Sequence, residues 1–262
     1  MRTSVTAYVP SVEYADFLSA TLPRIRAECD RVVVVTNPRD RSTIRVANRH
    51  GVEVHVTDAW TADGAYFNCA RAVESAMDVY GRRGWIMLLS ADIVVPTGLL
   101  DEALTVGRLY SARRRMMDQW PTTVPDEASW AEFPYHPKMD VGMSGYLLLW
   151  HASDPHLPRR TPWQPVNWRH VGGSDTEFIS LWQPDQQTWL TRDVLHLGVD
   201  GVDWCGRVQP FADGSIPAGA ADRANALASM LYRRRRLRRR GKYEHTEEKI
   251  HPSSRSLNRG LK

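Results

Sequence analysis

Polar side chains follow three short apolar stretches in the first half of the chain, each close to the point where the stretch ends. Ligands of parallel sheets collect at the carboxyl ends of the strands, because the loops converge there and helix N-termini offer free N–H groups. The sequence therefore predicts one shared cleft rather than scattered surface charges. The polar residues are Asn37 and Asp40, Asp58 and Asp63, and Asp92.

Asp92 has the clearest chemistry of this set. It comes shortly after the apolar run 85–89, where a rigidly held carboxylate can approach a diphosphate through a divalent metal ion. The alternative is an aspartate that only caps the following turn. The position alone leaves both interpretations open.

The elements that must position these residues alternate between β-rich apolar runs and amphipathic stretches. Apolar residues at helical spacing between the runs predict helices. Ser42 is expected to cap the second helix and Gly51 to end it. This order predicts an α/β fold with a doubly wound, mainly parallel sheet. The predicted strands are 5–9, 32–35, 52–56 and 85–89.

The composition changes between residues 113 and 168, where Trp, Pro and Met interleave with charged residues. Five tryptophans lie between Trp120 and Trp168. We interpret this stretch as an irregular insertion whose tryptophans form either a satellite core or rigid walls for sugars or bases. The elements predicted in the second half are a strand at 143–150, a short helix beginning at Glu177, a strand within 193–198 and a helix at 218–232.

The overall composition is that of an ordinary soluble protein. The 262 residues are 42% hydrophobic and 24% charged, which excludes collagen-like, coiled-coil and wholly disordered proteins. The apolar runs are too short to cross a bilayer and residues 1–11 lack a secretory signal, so we expect a cytoplasmic protein. Three cysteines without paired spacing argue against a disulfide framework or a structural zinc site. Neither GxGxxG nor the P-loop motif occurs.

Four segments resemble GT-A glycosyltransferases, which use nucleotide-sugar donors. Residues 84–96 (GWIMLLSADIVVP) resemble the strand and DxD segment of these enzymes, and the preceding FNCAR helix resembles their donor-side helix. Residues 172–178 (GGSDTEF) are similar to the Gly-Gly-Glu-Asp-x-Glu-Phe pattern of inverting members. Residues 194–198 (VLHLG) resemble the segment whose His completes the metal site in several such families. The resemblance covers about residues 3–105 and 172–207.

The resemblance implies a GT-A (Rossmann-like) three-layer αβα sandwich and a metal-dependent transfer reaction. Asp92 and His196 match metal ligands, which would hold Mn²⁺ or Mg²⁺. Asp175 matches the general base. Glu177, two residues on, would either hydrogen-bond the acceptor or only favour the dipole of its helix. The sequence departs from the family patterns at two acidic positions, where it has Ser90 and Ser174.

Donor binding is expected from the N-terminal loops and from one later loop. Asn37 and Asp40 are candidates for the base or ribose, and a UDP-linked sugar is the expected donor. A helix face is expected to point toward the diphosphate, and a glycine-containing loop to close over the donor. The remaining candidates are Asp63, Asn68 and Arg71 near the helix and Trp204 and Arg207 in the loop.

The charge distribution divides the chain into a body, residues 1–232, and a basic tail, residues 233–262. The tail carries a net charge of +9 and the body −5. We predict a single transferase domain, with a nucleotide-binding half at 1–110 and an acceptor half at 111–232, followed by a flexible tail. The tail suits nucleic acid or an anionic membrane, or stays solvated. Its arginine run comprises Arg233, Arg234, Arg235, Arg236, Arg238, Arg239 and Arg240.

The tail and the tryptophans together favour a hydroxylated pyrimidine in DNA as acceptor, as in viral DNA hypermodification in a host cytoplasm. The base would leave the duplex and stack on aromatic side chains. Glycan, lipid and protein acceptors fit the core motifs equally. Two alternative functions are that of a noncatalytic nucleic-acid-binding protein on a decayed transferase scaffold and that of a nucleotidyltransferase. The stacking candidates are Trp120, Trp130, Trp163 and Trp168.

Overall fold

The fold is built on a seven-stranded central sheet and a smaller three-stranded sheet. The computed structural model describes residues 4–117, 123–137, 142–199 and 201–239. The strands are β1 (Val5–Pro10), β2 (Arg31–Thr36), β3 (Glu53–Val56), β4 (Trp85–Leu89), β5 (Ile93–Val94), β6 (Leu109–Ser111), β7 (Arg114–Met116), β8 (Leu147–His151), β9 (Gln187–Trp189) and β10 (Val194–His196). The helices are α1 (Ala15–Glu28), α2 (Arg41–Arg49), α3 (Cys69–Tyr80), α4 (Ser174–Ile179) and α5 (Ala220–Arg239).

The central sheet has the strand order β3-β2-β1-β4-β8-β6-β9. Strands β1 to β4 are parallel, whereas β8 runs antiparallel to both of its neighbours, β4 and β6. Strand β4 is buried at all five positions, as expected for a strand that is covered on both faces. The predicted α/β class and mainly parallel sheet are confirmed.

Helices cover both faces of the central sheet. Leu18, Leu22 and Ile25 of α1 pack in one apolar cluster with buried residues of β1, β2 and β4. Val73 and Met77 of α3 pack in a second cluster against the opposite face. The two clusters form the three-layer αβα arrangement that the sequence predicted.

Helix α2 begins differently from the prediction. The side chain of Asp40 accepts a hydrogen bond from the Thr43 N–H and is the N-cap, so the expected cap at Ser42 is wrong. Both residues are good capping types, and a carboxylate also complements the positive end of the helix dipole.

The small sheet has the order β5-β10-β7. Strand β7 lies inside the stretch predicted to be irregular and pairs in parallel with β10. Strand β10 also pairs with β5, which follows Asp92 directly, and this pairing sets His196 opposite Ile93. The small sheet therefore joins the region after β4 to the C-terminal part of the chain.

The described tryptophans of the 113–168 stretch are largely core residues. Trp130 is 4% exposed and packs with α1 and the small sheet, whereas Trp150 is completely buried in β8. Trp168 is 5% exposed. The interpretation as satellite core fits Trp130, while Trp120 lies outside the described residues.

Helix α5 continues to Arg239, seven residues beyond its predicted end at Tyr232. Arginine is a good helix former, which explains why the basic run continues the helix. Arg240 and the rest of the tail lie outside the described residues. Within the described residues, no helix is long and apolar enough to span a membrane.

Candidate active site

A cavity of about 900 Å³ opens at the carboxyl ends of β1 and β4, where ligands of this kind of sheet bind. Five residues predicted to act in the site line it together: Asp92, Asp175, Glu177, His196 and Trp204. They come from three separate parts of the sequence. The fold therefore brings together the two predicted metal ligands and the predicted base.

Asp92 and His196 form a close pair in this cavity. Asp92 Oδ2 lies 3.4 Å from His196 Nε2, and their side chains are 14% and 6% exposed. The Leu197 N–H donates to the Asp92 carbonyl at 2.9 Å, so the β5–β10 pairing fixes the separation of the two side chains. The pair is thus set by backbone geometry rather than by flexible loops.

The chemistry of this pair fits a divalent cation. Asp92 Oδ1 and His196 Nδ1 are buried and make no hydrogen bond among the described residues, although buried polar atoms are nearly always paired. Carboxylate oxygen and imidazole nitrogen are both ligands of Mn²⁺, and Mg²⁺ binds through few protein ligands plus substrate phosphates. The part of the chain that is described contains no group of three His, Cys, Asp or Glu side chains that could hold a metal.

Tyr14 and Asp203 form a second polar pair on the cavity wall. The Tyr14 hydroxyl donates to Asp203 Oδ2. Burial raises the pKa of Tyr14 well above its usual value, and the negative charges of Asp203 and Asp92 raise it further. Tyr14 therefore stays neutral. The sequence did not indicate either residue as part of the site. Tyr14 fits the apolar face of a helix, and the two residues are 189 positions apart.

Asp175 is held in place by backbone N–H groups. Its Oδ2 accepts from Gly145 at 2.8 Å, and its Oδ1 accepts from Thr176 at 2.9 Å. A Cβ at Gly145 would lie 2.7 Å from the Asp175 Cβ, so only glycine permits this approach. Burial raises the pKa of the Cys69 thiol to about 12, and the charge of Asp175 contributes to the shift. The cavity wall beside the predicted base thus carries a neutral thiol.

Glu177 lies in the first turn of α4 and also lines the cavity. The indole N–H of Trp168 donates to its Oε2 at 3.1 Å. This bond ties α4 to the end of the 113–168 stretch. Glu177 is therefore placed both to favour the helix dipole and to reach a ligand.

Six predicted donor-binding residues are absent from the described lining of the cavity: Arg207 and five residues of the N-terminal half. Asn37 accepts from the Arg39 and Asp40 N–H groups in a turn. Asp40 caps α2, and Asn68 caps α3 by accepting from the Arg71 N–H. The remaining two, Asp63 and Arg71, form an ion pair with each other, in which the Asp63 side chain is 67% exposed.

Arg207 is buried rather than turned into the cavity. Its guanidinium makes a two-pronged ion pair with Asp16, with distances of 2.5 and 2.7 Å. The rings of Tyr14, Phe17 and Phe211 pack against it within 5 Å. Arg207 thereby fastens the loop that carries Asp203 and Trp204 onto α1.

Replacing Arg207 with Met should destabilise the protein, because it leaves the partly buried Asp16 carboxylate without its ion-pair partner. Loss of one member of a buried ion pair typically costs about 3–5 kcal/mol of unfolding free energy. Urea denaturation measures this, and Arg45→Ala at an exposed site of α2 is the control, with an expected change within about 0.5 kcal/mol. Unchanged stability together with weakened UDP binding would instead support the predicted role of Arg207 in donor binding.

The fold and cavity define a GT-A-type α/β protein with a carboxylate–histidine pair and a second carboxylate in one pocket. No protein-family model matches the chain, and no curated protein matches it. TarS from S. aureus is a similar solved structure, with a TM-score of 0.50 and 10% identity over 74% of this chain and 36% of TarS. This likeness supports the fold alone, and the predicted fold class is confirmed.

Two further solved structures are similar over most of the chain. Mannosyl-3-phosphoglycerate synthase from Rubrobacter xylanophilus has 19% identity and a TM-score of 0.48 over 96% of this chain and 79% of its own. Glucosyl-3-phosphoglycerate synthase from Mycobacterium tuberculosis has 15% identity and a TM-score of 0.45 over 93% of this chain and 82% of its own. The mycobacterial structure is a complex with Mn²⁺, UDP and glucosyl-3-phosphoglycerate.

Proposed function

We propose that this protein is a glycosyltransferase that moves a sugar from a UDP-type donor to an acceptor hydroxyl with inversion. The observation that carries the proposal is the convergence of Asp92, His196 and Asp175 on one cavity. The three residues come from separate regions of the sequence, and each has the chemistry that the reaction requires. We assign the reaction to a single domain comprising residues 1–232.

The reaction needs charge stabilisation on one side of the sugar and a base on the other. A divalent cation held by Asp92 and His196 would neutralise the charge that develops on the departing diphosphate. The acceptor oxygen bonds to the anomeric carbon as the bond from that carbon to the diphosphate oxygen breaks. The hydroxyl proton passes to the Asp175 carboxylate, which the Gly145 and Thr176 N–H groups orient, and UDP leaves with the bonding electrons.

Incubation with Mn²⁺ and a panel of nucleotide sugars tests the proposal. We expect slow release of nucleoside diphosphate without added acceptor, because water takes the place of the acceptor hydroxyl. Release of pyrophosphate from nucleoside triphosphates would indicate a nucleotidyltransferase instead. Absence of both donor binding and donor turnover across the panel would favour the noncatalytic alternative.

We further propose a hydroxylated pyrimidine in DNA as the acceptor. The support is the basic run that follows residue 232 and continues α5 to Arg239. Among the described stacking candidates only Trp168 lines the cavity. Trp130 is buried in another cluster, and Trp163 packs beneath the Arg82 guanidinium. Stacking of a flipped base would therefore use Trp168.

Deletion of residues 233–262 should weaken DNA binding and leave UDP affinity unchanged. If about six arginines contact phosphates, the full chain loses DNA affinity with a log–log salt slope near −5, which the deletion should flatten. Fluorescence anisotropy with duplex DNA at several salt concentrations measures both quantities. Equal DNA affinity and slope in the shortened chain would remove the tail from the acceptor site.

A further inference from the structure

Gln164 is a buried polar residue in the cavity wall, and its side-chain nitrogen has no hydrogen-bond partner among the described residues. It is 7% exposed and lines the cavity. Its side-chain nitrogen Nε2 is buried and makes no hydrogen bond within the described ranges. Leaving a buried donor unpaired costs free energy, so such groups in native proteins commonly serve a ligand or water.

The backbone around Gln164 is firmly anchored to α3. The Gln164 N–H donates to Glu74 Oε1 at 2.8 Å, and the other carboxylate oxygen of Glu74 pairs with Arg82 at 2.6 Å. Glu74 is 4% exposed. Two residues along the chain, the Val166 carbonyl accepts from Asn68 Nδ2 at 2.7 Å. These contacts fix the main chain of Gln164.

The side-chain amide of Gln164 has more freedom than its backbone. The last torsion of a glutamine side chain is broad, so the amide can turn toward a ligand at small cost. An amide both donates and accepts hydrogen bonds, which suits a hydroxyl group better than a phosphate or an apolar surface. The anchored backbone keeps this group at one fixed place in the wall.

The position of Gln164 relates it to the predicted base. The same segment ends in Trp168, whose indole binds Glu177 of α4, and α4 also carries Asp175. The neighbouring wall includes Cys69 at the start of α3. Gln164 and Asp175 line the same cavity, and a sugar that is attacked with the help of Asp175 occupies that cavity.

We propose that Gln164 determines donor specificity by hydrogen-bonding a hydroxyl of the transferred sugar through its side-chain amide. The inference rests on the proposed glycosyltransferase function and names a contact that the reaction motifs do not include. In this proposal Gln164 makes no contact with the nucleotide part of the donor. Loss of the amide therefore affects binding of the sugar and spares binding of UDP.

The test compares wild type with Gln164→Met, which keeps the length of the side chain and removes its polar atoms. Calorimetric titration with Mn²⁺ and UDP, UDP-glucose, UDP-galactose or UDP-N-acetylglucosamine gives the affinities. For the UDP-sugar that wild type binds best, we expect Kd to rise at least about tenfold. Kd for UDP should stay within about twofold. Gln183→Met, at an exposed glutamine outside the described cavity lining, is the control and should change neither value.

The melting temperature of the ligand-free protein separates ligand binding from packing. Gln164→Met should melt no lower than wild type, because it removes an unsatisfied buried group. A lower melting temperature with equal losses for UDP and UDP-sugar would assign Gln164 a packing role and overturn the proposal. Gln164→Glu, which exchanges the donor for an acceptor, gives the same comparison if the Met variant does not fold.

The remaining outcomes distinguish the two proposals. If wild type binds UDP-sugars and Gln164→Met binds them equally well, the specificity role is wrong and the transferase function stands. If wild type binds none of the UDP-sugars, the UDP-sugar function fails, and the role of Gln164 fails with it.

Discussion

Asp92→Asn is expected to lower nucleotide release from the donor sugar by about a thousandfold, which corresponds to about 4 kcal/mol of transition-state stabilisation. Asn keeps the shape of the side chain but removes the negative charge that would hold a divalent cation beside His196. Metal ions stabilise developing charge by several kcal/mol. Steady-state assays with Mn²⁺, together with a titration of Mn²⁺ affinity, measure the effect.

The matched control for Asp92 is Asp58→Asn, which changes an exposed carboxylate outside the described cavity lining. It should leave turnover and Mn²⁺ affinity unchanged. Chelation of the metal should stop turnover in wild type, and readdition of Mn²⁺ should restore it. Undiminished release by Asp92→Asn in the presence of Mn²⁺ would remove Asp92 from the metal site.

Asp175→Asn should reduce kcat by about 10²- to 10⁴-fold, the usual contribution of a general base. Affinity for UDP should change by less than about twofold, because in the proposed reaction Asp175 contacts the acceptor and not the nucleotide. The Asn oxygen can still accept one backbone hydrogen bond, so the fold of α4 is retained. Pre-steady-state nucleotide release and UDP titration separate the two quantities.

Asp185→Asn, at an exposed position of the next short helical turn, is the control for Asp175. An unimpaired rate in Asp175→Asn would place the base elsewhere, and Glu177 is then the nearest carboxylate in sequence that lines the cavity. A parallel loss of UDP affinity would instead indicate that the substitution disturbs the whole site.

The sequence predicts the α/β framework well because its signals are local. A run of buried residues such as that of β4 is visible without any partner, and strand ends locate Asp92. Capping residues are harder to interpret. Asn37, Asp40 and Asn68 have short polar side chains in loops, as ligand-binding residues do, yet in the structure they bind neighbouring backbone N–H groups.

The contacts that the sequence does not predict join residues that lie far apart along the chain. Gly145 shows no pattern of its own, and its role follows only from an approach to Asp175, 30 positions away. Gln164 likewise depends on Glu74, 90 positions away. Such partners are chosen by tertiary packing, for which a single sequence carries no periodic signal.

The ion pair between Arg207 and Asp16 joins residues 191 positions apart, which has a consequence for protein synthesis. Asp16 is translated early, whereas its partner Arg207 is added only after most of the chain has been translated. Because domains fold as the chain emerges, the nascent first half would expose the α1 surface that later receives this loop. A nascent chain ending before Arg207 would leave the Asp16 carboxylate without this partner.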